Sequence, residues 1–356
     1  MIRERRLRTA SYRPQSRFGL FDLELSRLVL CGASVLDWQR LPLARSEVGA
    51  YLSSAGLDLG ELADAALIKR IRDEAVLYLR ETLEFPVPGP VCRAGLEELF
   101  SMAADESNRH RSMCACTVLK VMHVLNHFDA AEARKALAIT EHELFREAER
   151  RIYRTVSTMM ALGLPVVEFS GGRKKRHSML TKLMSKASPL SAQVFDRLRF
   201  RIITSTPEDL LPVIDYLGRN LFPFNYIVAG ESYDTLLGFD DYCDSVPRLS
   251  RLKAKLQPLP SRRREASDSN GHSAKDFKVI HWIADMPMRV PSFETAFEGD
   301  GTDPIPRPIV YVRTEFQLLD RRSHRENEKG DAAHDAYKRR QMDAVASRLK
   351  AGQPML

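Results

Sequence analysis

The sequence predicts an α+β chain, in which an all-helical amino-terminal half precedes a mixed β-sheet flanked by helices. From residue 19 to residue 164, apolar side chains recur every three or four positions. After Pro165 that period gives way to short β-branched runs, and Ile309 to Leu318 alternates apolar and polar side chains residue by residue. A chain of 356 residues is long for a single core, so two domains are expected, a helical one over 19–164 and a mixed one over 165–349.

Taken in order, the first seventeen residues hold six arginines and one glutamate, which predicts a basic, solvated arm through residue 18. Leu62 to Leu79 has helical spacing and is broken by Pro86-Val-Pro-Gly-Pro90. Another helix covers Cys114 to Leu125. The next opens at Thr140-Glu-His-Glu143, a capping box, and stops at Gly163-Leu-Pro165. Val166 to Phe169 reads as a strand, Ser178 to about Ser185 as a helix, and Arg199 to Thr204 as a strand. Thr206-Pro-Glu-Asp209 starts a helix whose apolar face is Leu210, Leu211, Val213, Ile214 and Leu217, ending near Gly218. Residues 251–275 lack periodicity and read as a long loop insert. Phe277 to Ala284 and Ile309 to Leu318 are strands, and one charged helix fills roughly 321–349.

Composition narrows the function classes. The net charge of +7 and an isoelectric point near 9.2 favour an anionic partner such as a nucleotide, a nucleic acid or a phosphate-rich substrate. No apolar run is long enough to cross a bilayer, and the basic start lacks the apolar core of a secretory signal. Five scattered cysteines (Cys31, Cys92, Cys114, Cys116 and Cys243) fit a reducing cytoplasm. Cys114 and Cys116 read as helix packing, and His110, His123 and His127 as helix packing or surface residues, although the last two have a spacing that metal ligands also use.

The chemistry is expected in the second half. Parity puts Tyr311, Arg313, Glu315 and Gln317 on one face of the last strand, either a solvated edge or a catalytic face. Phe277, Val279 and His281 share a face of the strand before it, with Lys278 on the other. Arg197-Leu-Arg-Phe-Arg201 alternates guanidiniums with apolar side chains, which suits phosphates or salt bridges. Gly171-Gly-Arg-Lys-Lys-Arg-His-Ser178 joins strand to helix without the Gly-Lys-Ser/Thr ending of a Walker loop. It suits nucleotide phosphate first and an RNA-binding turn second.

These segments, in this order, resemble the synthetase domain of RelA/SpoT-type alarmone synthetases, members of the nucleotidyltransferase superfamily. Lys174 and Ser178-Met-Leu-Thr-Lys-Leu183 resemble that family's R-x-K and S-I-x-x-K-L, with Gly172 at the arginine and Arg173 beside it. Asp196-Arg-Leu-Arg-Phe-Arg-Ile-Ile203 resembles D-I-A-G-I-R-I-I. Asp276-Phe-Lys-Val-Ile-His281 resembles G-Y-R-S-L-H. Glu315-Phe-Gln-Leu-Leu-Asp320 followed by Gly330-Asp-Ala-Ala-His-Asp-Ala-Tyr-Lys338 matches E-V-Q-I-R-T and G-V-A-A-H-W-A-Y-K at the family's spacing. Three departures stand out. Leu319 replaces the arginine of Q-I-R-T, Phe277 replaces the tyrosine that stacks the acceptor base, and the acceptor segment before Phe277 is unrecognisable.

The resemblance implies Mg²⁺-dependent transfer of pyrophosphate from ATP to the ribose 3′-hydroxyl of a guanine nucleotide. It implies Asp196 and Glu315 as metal ligands, with Glu315 alternatively the general base, and Arg201 and His281 completing the catalytic set. Arg173, Lys174, Ser178, Lys182, Arg199, Phe277, Lys278, Arg313, Gln317 and His334 would bind nucleotide, with Arg313 standing in for the missing arginine. Two other functions stay open: ATP-dependent modification of an RNA 3′ end, and a catalytically silent nucleotide- or RNA-binding module. A homo-oligomer is compatible with the sequence, and a membrane partner is not expected.

Overall fold

The computed structural model describes residues 12–32, 38–39, 41, 43, 45–136, 139–174, 176–185, 198–256, 277–290, 308–329 and 334–350. The helices of the first half are α1 (Leu20–Cys31), α2 (Arg45–Ser54), α3 (Leu62–Glu81), α4 (Gly89–Arg93), α5 (Leu96–Ala103), α6 (Arg109–Ala136) and α7 (Glu141–Ala161). There follow β1 (Val166–Arg173), α8 (Arg176–Ser185), β2 (Leu198–Thr204), α9 (Leu210–Asn220), β3 (Tyr233–Asp234), α10 (Phe239–Ser245) and α11 (Pro247–Lys253). The last elements are β4 (Ile280–Arg289), β5 (Ile309–Asp320), α12 (Arg321–Asn327) and α13 (His334–Lys350). The chain is α+β, and its strands form one mixed sheet in the order β1-β2-β5-β4-β3. Among the described residues only the β2–β5 pair is parallel.

Local chemistry explains the element ends. Thr140 Oγ1 accepts from the Glu143 amide while Glu143 Oε2 accepts from the Thr140 amide, the capping box that starts α7. At the other end Gly163 turns the chain with φ at 88°. Several boundaries differ from the sequence reading. Gly171, Gly172 and Arg173 are the end of β1 rather than a loop, paired with Phe200, Arg199 and Leu198. Residues 277–279 precede β4 because side chains take up their backbone groups: Thr235 Oγ1 accepts from the Val279 amide and Asn327 Oδ1 from the Lys278 amide. The carboxy-terminal helix is divided into α12 and α13, and Asp320 caps α12 by accepting from the amides of Arg322 and Ser323. The expected loop insert begins as the end of α11, and its residues 257–276 lie outside the described residues.

The two faces of the sheet differ. On one, Trp282, Phe316 and Phe200 lie in register, and Trp282 stacks on Phe316 at 5.4 Å between centroids. Phe169 extends the row by stacking on Phe200 at 5.7 Å. Across from Phe200 the row reaches Gly171, where a Cβ would lie 2.3 Å from the Arg199 carbonyl oxygen and 2.7 Å from the Phe200 ring. Only glycine fits there. Tyr153 of α7 covers this corner, its ring 5.0 Å from Phe169. The buried apolar residues of helices and sheet form one cluster that runs from Phe18 to Leu318. The basic arm is anchored from Arg13 onward, since Arg13 pairs with Asp22 at 2.8 Å and Gln15 accepts from the Tyr242 hydroxyl.

Candidate active site

The opposite face carries the polar groups. Residues paired across neighbouring strands point to the same side of a sheet, so register alone lines them up. One row runs Tyr233, His281, Gln317, Arg201 and Ser170 through β3, β4, β5, β2 and β1. The next row places Ile283, Glu315, Arg199 and Gly172 together. A third pairs Asp285 with Arg313, joined by an ion pair at 3.0 Å.

Glu315 is the centre, only 2% exposed. Its Oε1 accepts from Arg199 Nε at 2.7 Å and from Gln317 Nε2 at 3.0 Å, and lies 3.3 Å from His281 Nε2. Its Oε2 accepts from Lys174 Nζ. Burial works to raise the carboxyl's pKa, but Arg199, the His281 contact and Lys174 outweigh it and hold the group well below its usual range. His281 is fixed in turn: Nδ1 lies 3.1 Å from the Glu231 carbonyl oxygen and the Tyr233 ring stacks on it at 4.5 Å. Gln317 is fixed by Arg201, whose Nη2 donates to Gln317 Oε1 at 3.2 Å. Burial, then the neighbouring Arg199 charge, lowers the Arg201 pKa. A buried carboxylate ringed by cations and oriented donors suits charge neutralisation and proton transfer.

Of the sequence-expected residues, the structure brings together Glu315, Arg201, His281, Lys174, Arg199 and Gln317. Arg313 lies on the same face, held by Asp285. Arg173 does not join them. It follows Gly172 in a strand and so points to the other side, where its guanidinium meets Glu149 of α7 at 3.2 Å. Lys278 pairs with Glu326 of α12. Ser178 is exposed on α8, and Phe277 is half-buried beside Thr235, which donates to its carbonyl oxygen. Asp196 lies outside the described residues, as do the side chains of Lys182 and His334. The sequence reading missed Tyr233, Glu231 and Asp285. A two-residue strand has no periodicity to read, and the other two reveal themselves only through cross-strand partners.

Both Glu315 oxygens accept from cationic or amide donors in this arrangement, and Asp196, the other expected metal ligand, lies outside the described residues. Among the described residues, no group of three or more His, Cys, Asp or Glu side chains is placed to hold a metal ion. His123 and His127 are packing residues. Their rings lie 4.5 Å apart, both touch Tyr226, and His127 stacks on Tyr311. Burial first, then the neighbouring His127, pushes His123 down to about 3. Among the described residues no helix is long and apolar enough to cross a membrane.

No family model matches the sequence, and no curated protein matches it. Among solved structures, the chain is similar to the small alarmone synthetase 2 from Bacillus subtilis at 15% identity and a TM-score of 0.30, over 59% of this chain and 95% of that one. It is similar to the small alarmone synthetase 1 from Bacillus subtilis bound to its product pppGpp at 14% identity and a TM-score of 0.30, over 59% and 95%. It is also similar to a GTP pyrophosphokinase family protein from Streptococcus pneumoniae at 13% identity and a TM-score of 0.27, over 60% and 90%. These proteins are of the class that the sequence motifs resemble.

Proposed function

We propose that the chain is a nucleotide pyrophosphokinase that moves pyrophosphate from ATP to the ribose 3′-hydroxyl of a guanine nucleotide. The observation that carries this reading is the buried Glu315 carboxylate, gripped by Lys174, Arg199, Gln317 and His281 on the polar face of the sheet. Its residues are those of the motif series that resembles alarmone synthetases. The acceptor hydroxyl oxygen attacks the β-phosphorus of ATP, the bond to the α-β bridging oxygen breaks, and AMP leaves with its electron pair. Glu315 takes the hydroxyl proton as the new bond forms. Lys174, Arg199 and Arg201 neutralise the phosphate oxygens, and His281 and Gln317 keep the carboxylate oriented. Asp196 would hold Mg²⁺ in this reading, with the donor's phosphate oxygens supplying further ligands. Asp196→Asn is therefore expected to lose turnover and Mg²⁺-dependent nucleotide affinity, and full activity in that variant would end this part of the scheme.

The test is to incubate the full chain with ATP labelled at the γ-phosphorus together with GDP, GTP or tRNA. Label on a guanine nucleotide supports the reading. Label on the tRNA would replace it with RNA 3′-end modification. No label anywhere, with nucleotide-dependent thermal stabilisation, would replace it with a silent binding module.

A further inference from the structure

The donors around Glu315 fall into two kinds. His281 and Gln317 are held from behind, by the Glu231 carbonyl oxygen and the Tyr233 ring in one case and by Arg201 in the other. Lys174 and Arg199 are long cationic side chains that come from the β1–β2 side of the sheet. Lys174 follows the last residue of β1, outside regular structure. The Arg199 side chain is 38% exposed, and its register partner on the same face is Gly172, which sets no side chain over it. One pair of donors is therefore held from behind, and the other is carried on long side chains, that of Arg199 38% and that of Lys174 11% exposed.

We propose that Glu315 is a substrate-released latch, whose carboxylate occupies the position of a phosphate group until an incoming polyphosphate draws Lys174 and Arg199 away from it. This rests on reading the row as a polyphosphate site. A polyphosphate chain carries more charge than a carboxylate and offers the forked guanidinium paired oxygens, so it competes for the same two cations. His281 and Gln317 stay on the carboxylate and hold its direction. Losing its cationic partners raises the basicity of the carboxylate, so the base becomes competent when the donor's phosphates are in place. Before that, the ion pairs keep it ionised but weakly basic.

Calorimetric titration of the full chain with inorganic tripolyphosphate, without magnesium, measures the competition directly. Glu315→Gln removes the internal competitor and is expected to bind tripolyphosphate about tenfold or more tighter than the unsubstituted chain. Glu315→Asp keeps the charge but shortens the reach to Lys174, so its affinity falls between the two. Lys174→Gln is expected to bind more weakly than all three. Equal or weaker binding by Glu315→Gln, while the unsubstituted chain binds, overturns the latch and leaves the polyphosphate reading standing. If Glu315→Gln fails to fold, Glu315→Asp decides by the same comparison. Absence of tripolyphosphate binding in both the unsubstituted chain and Glu315→Gln overturns the polyphosphate reading and the latch with it.

Discussion

Glu315 owes its properties to a contest between burial and charge that its cationic neighbours win, and this makes an acid-stability signature. Its folded-state pKa is depressed below the unfolded value of about 4.3, so its stabilising contribution is complete above that pH. The contribution is lost as pH falls through the folded-state value. The melting temperatures of the unsubstituted chain and Glu315→Gln should therefore differ near neutrality and converge as pH is lowered below about 4. A difference that stays constant through the acid range would show that the ion pairs do not stabilise the fold. Arg313 belongs to the same face but is tied to Asp285. If it replaces the arginine that Leu319 displaces, Arg313→Ala lowers kcat/KM for nucleotide by about tenfold, and an unchanged value would remove it from the site. Glu315, Arg199, Arg201, Gln317 and His281 were legible because two-residue alternation sorts a strand's faces without knowledge of its neighbours. Arg173 was misplaced because the sequence reading ended β1 before Gly171. Once the strand runs on through the glycines, alternation sends Gly172 and Lys174 to one side and Arg173 to the other.

Among the elements, β1 is the most exacting. The apolar row of Trp282, Phe316 and Phe200 closes against Gly171, and the polar row closes against Gly172, so one glycine pair serves both faces. Gly171→Ala would force a Cβ to within 2.3 Å of the Arg199 carbonyl oxygen, with φ at 152° besides. The backbone has to yield, at a cost of about 1–3 kcal/mol, visible as a lowered melting temperature together with weakened activity, because Lys174 follows on the displaced strand. An unchanged melting temperature would show that β1 pairs differently. A second demanding point is Arg219 of α9, which donates to Asp215 at 2.8 Å and also pairs with Asp22 of α1. Burial pushes Asp215 up to about 6, against the pull of Arg219. Arg219→Ala leaves the buried Asp215 without its cation and Asp22 with Arg13 alone, and is expected to cost about 3–5 kcal/mol, measured by denaturant unfolding. The apolar stripe of α9 could be read locally. Its salt bridge to α1 could not, since Asp22 and Arg219 are brought together only by the fold.

At the scale of the whole molecule, the helices of the first half and the sheet share one apolar cluster, and polar contacts reinforce it. Asn126 of α6 donates to the hydroxyls of Tyr226 and Tyr311, at 3.0 Å and 2.7 Å, and Arg151 of α7 donates to the Pro287 and Ser54 carbonyl oxygens. A fragment beginning at residue 165 would expose the apolar surface that these helices cover. It is expected to lack a cooperative thermal transition by circular dichroism, and a sharp two-state melt would show that the second half folds alone. The α+β class was legible from the change in periodicity at Pro165. The parallel pairing of β2 with β5 was not, because it joins segments more than a hundred residues apart and leaves no local trace.

The central claim is that Glu315 acts on the acceptor hydroxyl within a folded nucleotide site. It is tested most directly by the rate of AMP release from ATP in the presence of GTP, compared between the unsubstituted chain and Glu315→Gln at a temperature well below both melting transitions. The prediction is AMP formed in step with pyrophosphorylated GTP, and a loss of about 10²–10⁴-fold in the variant. A variant that turns over at the unsubstituted rate would contradict it.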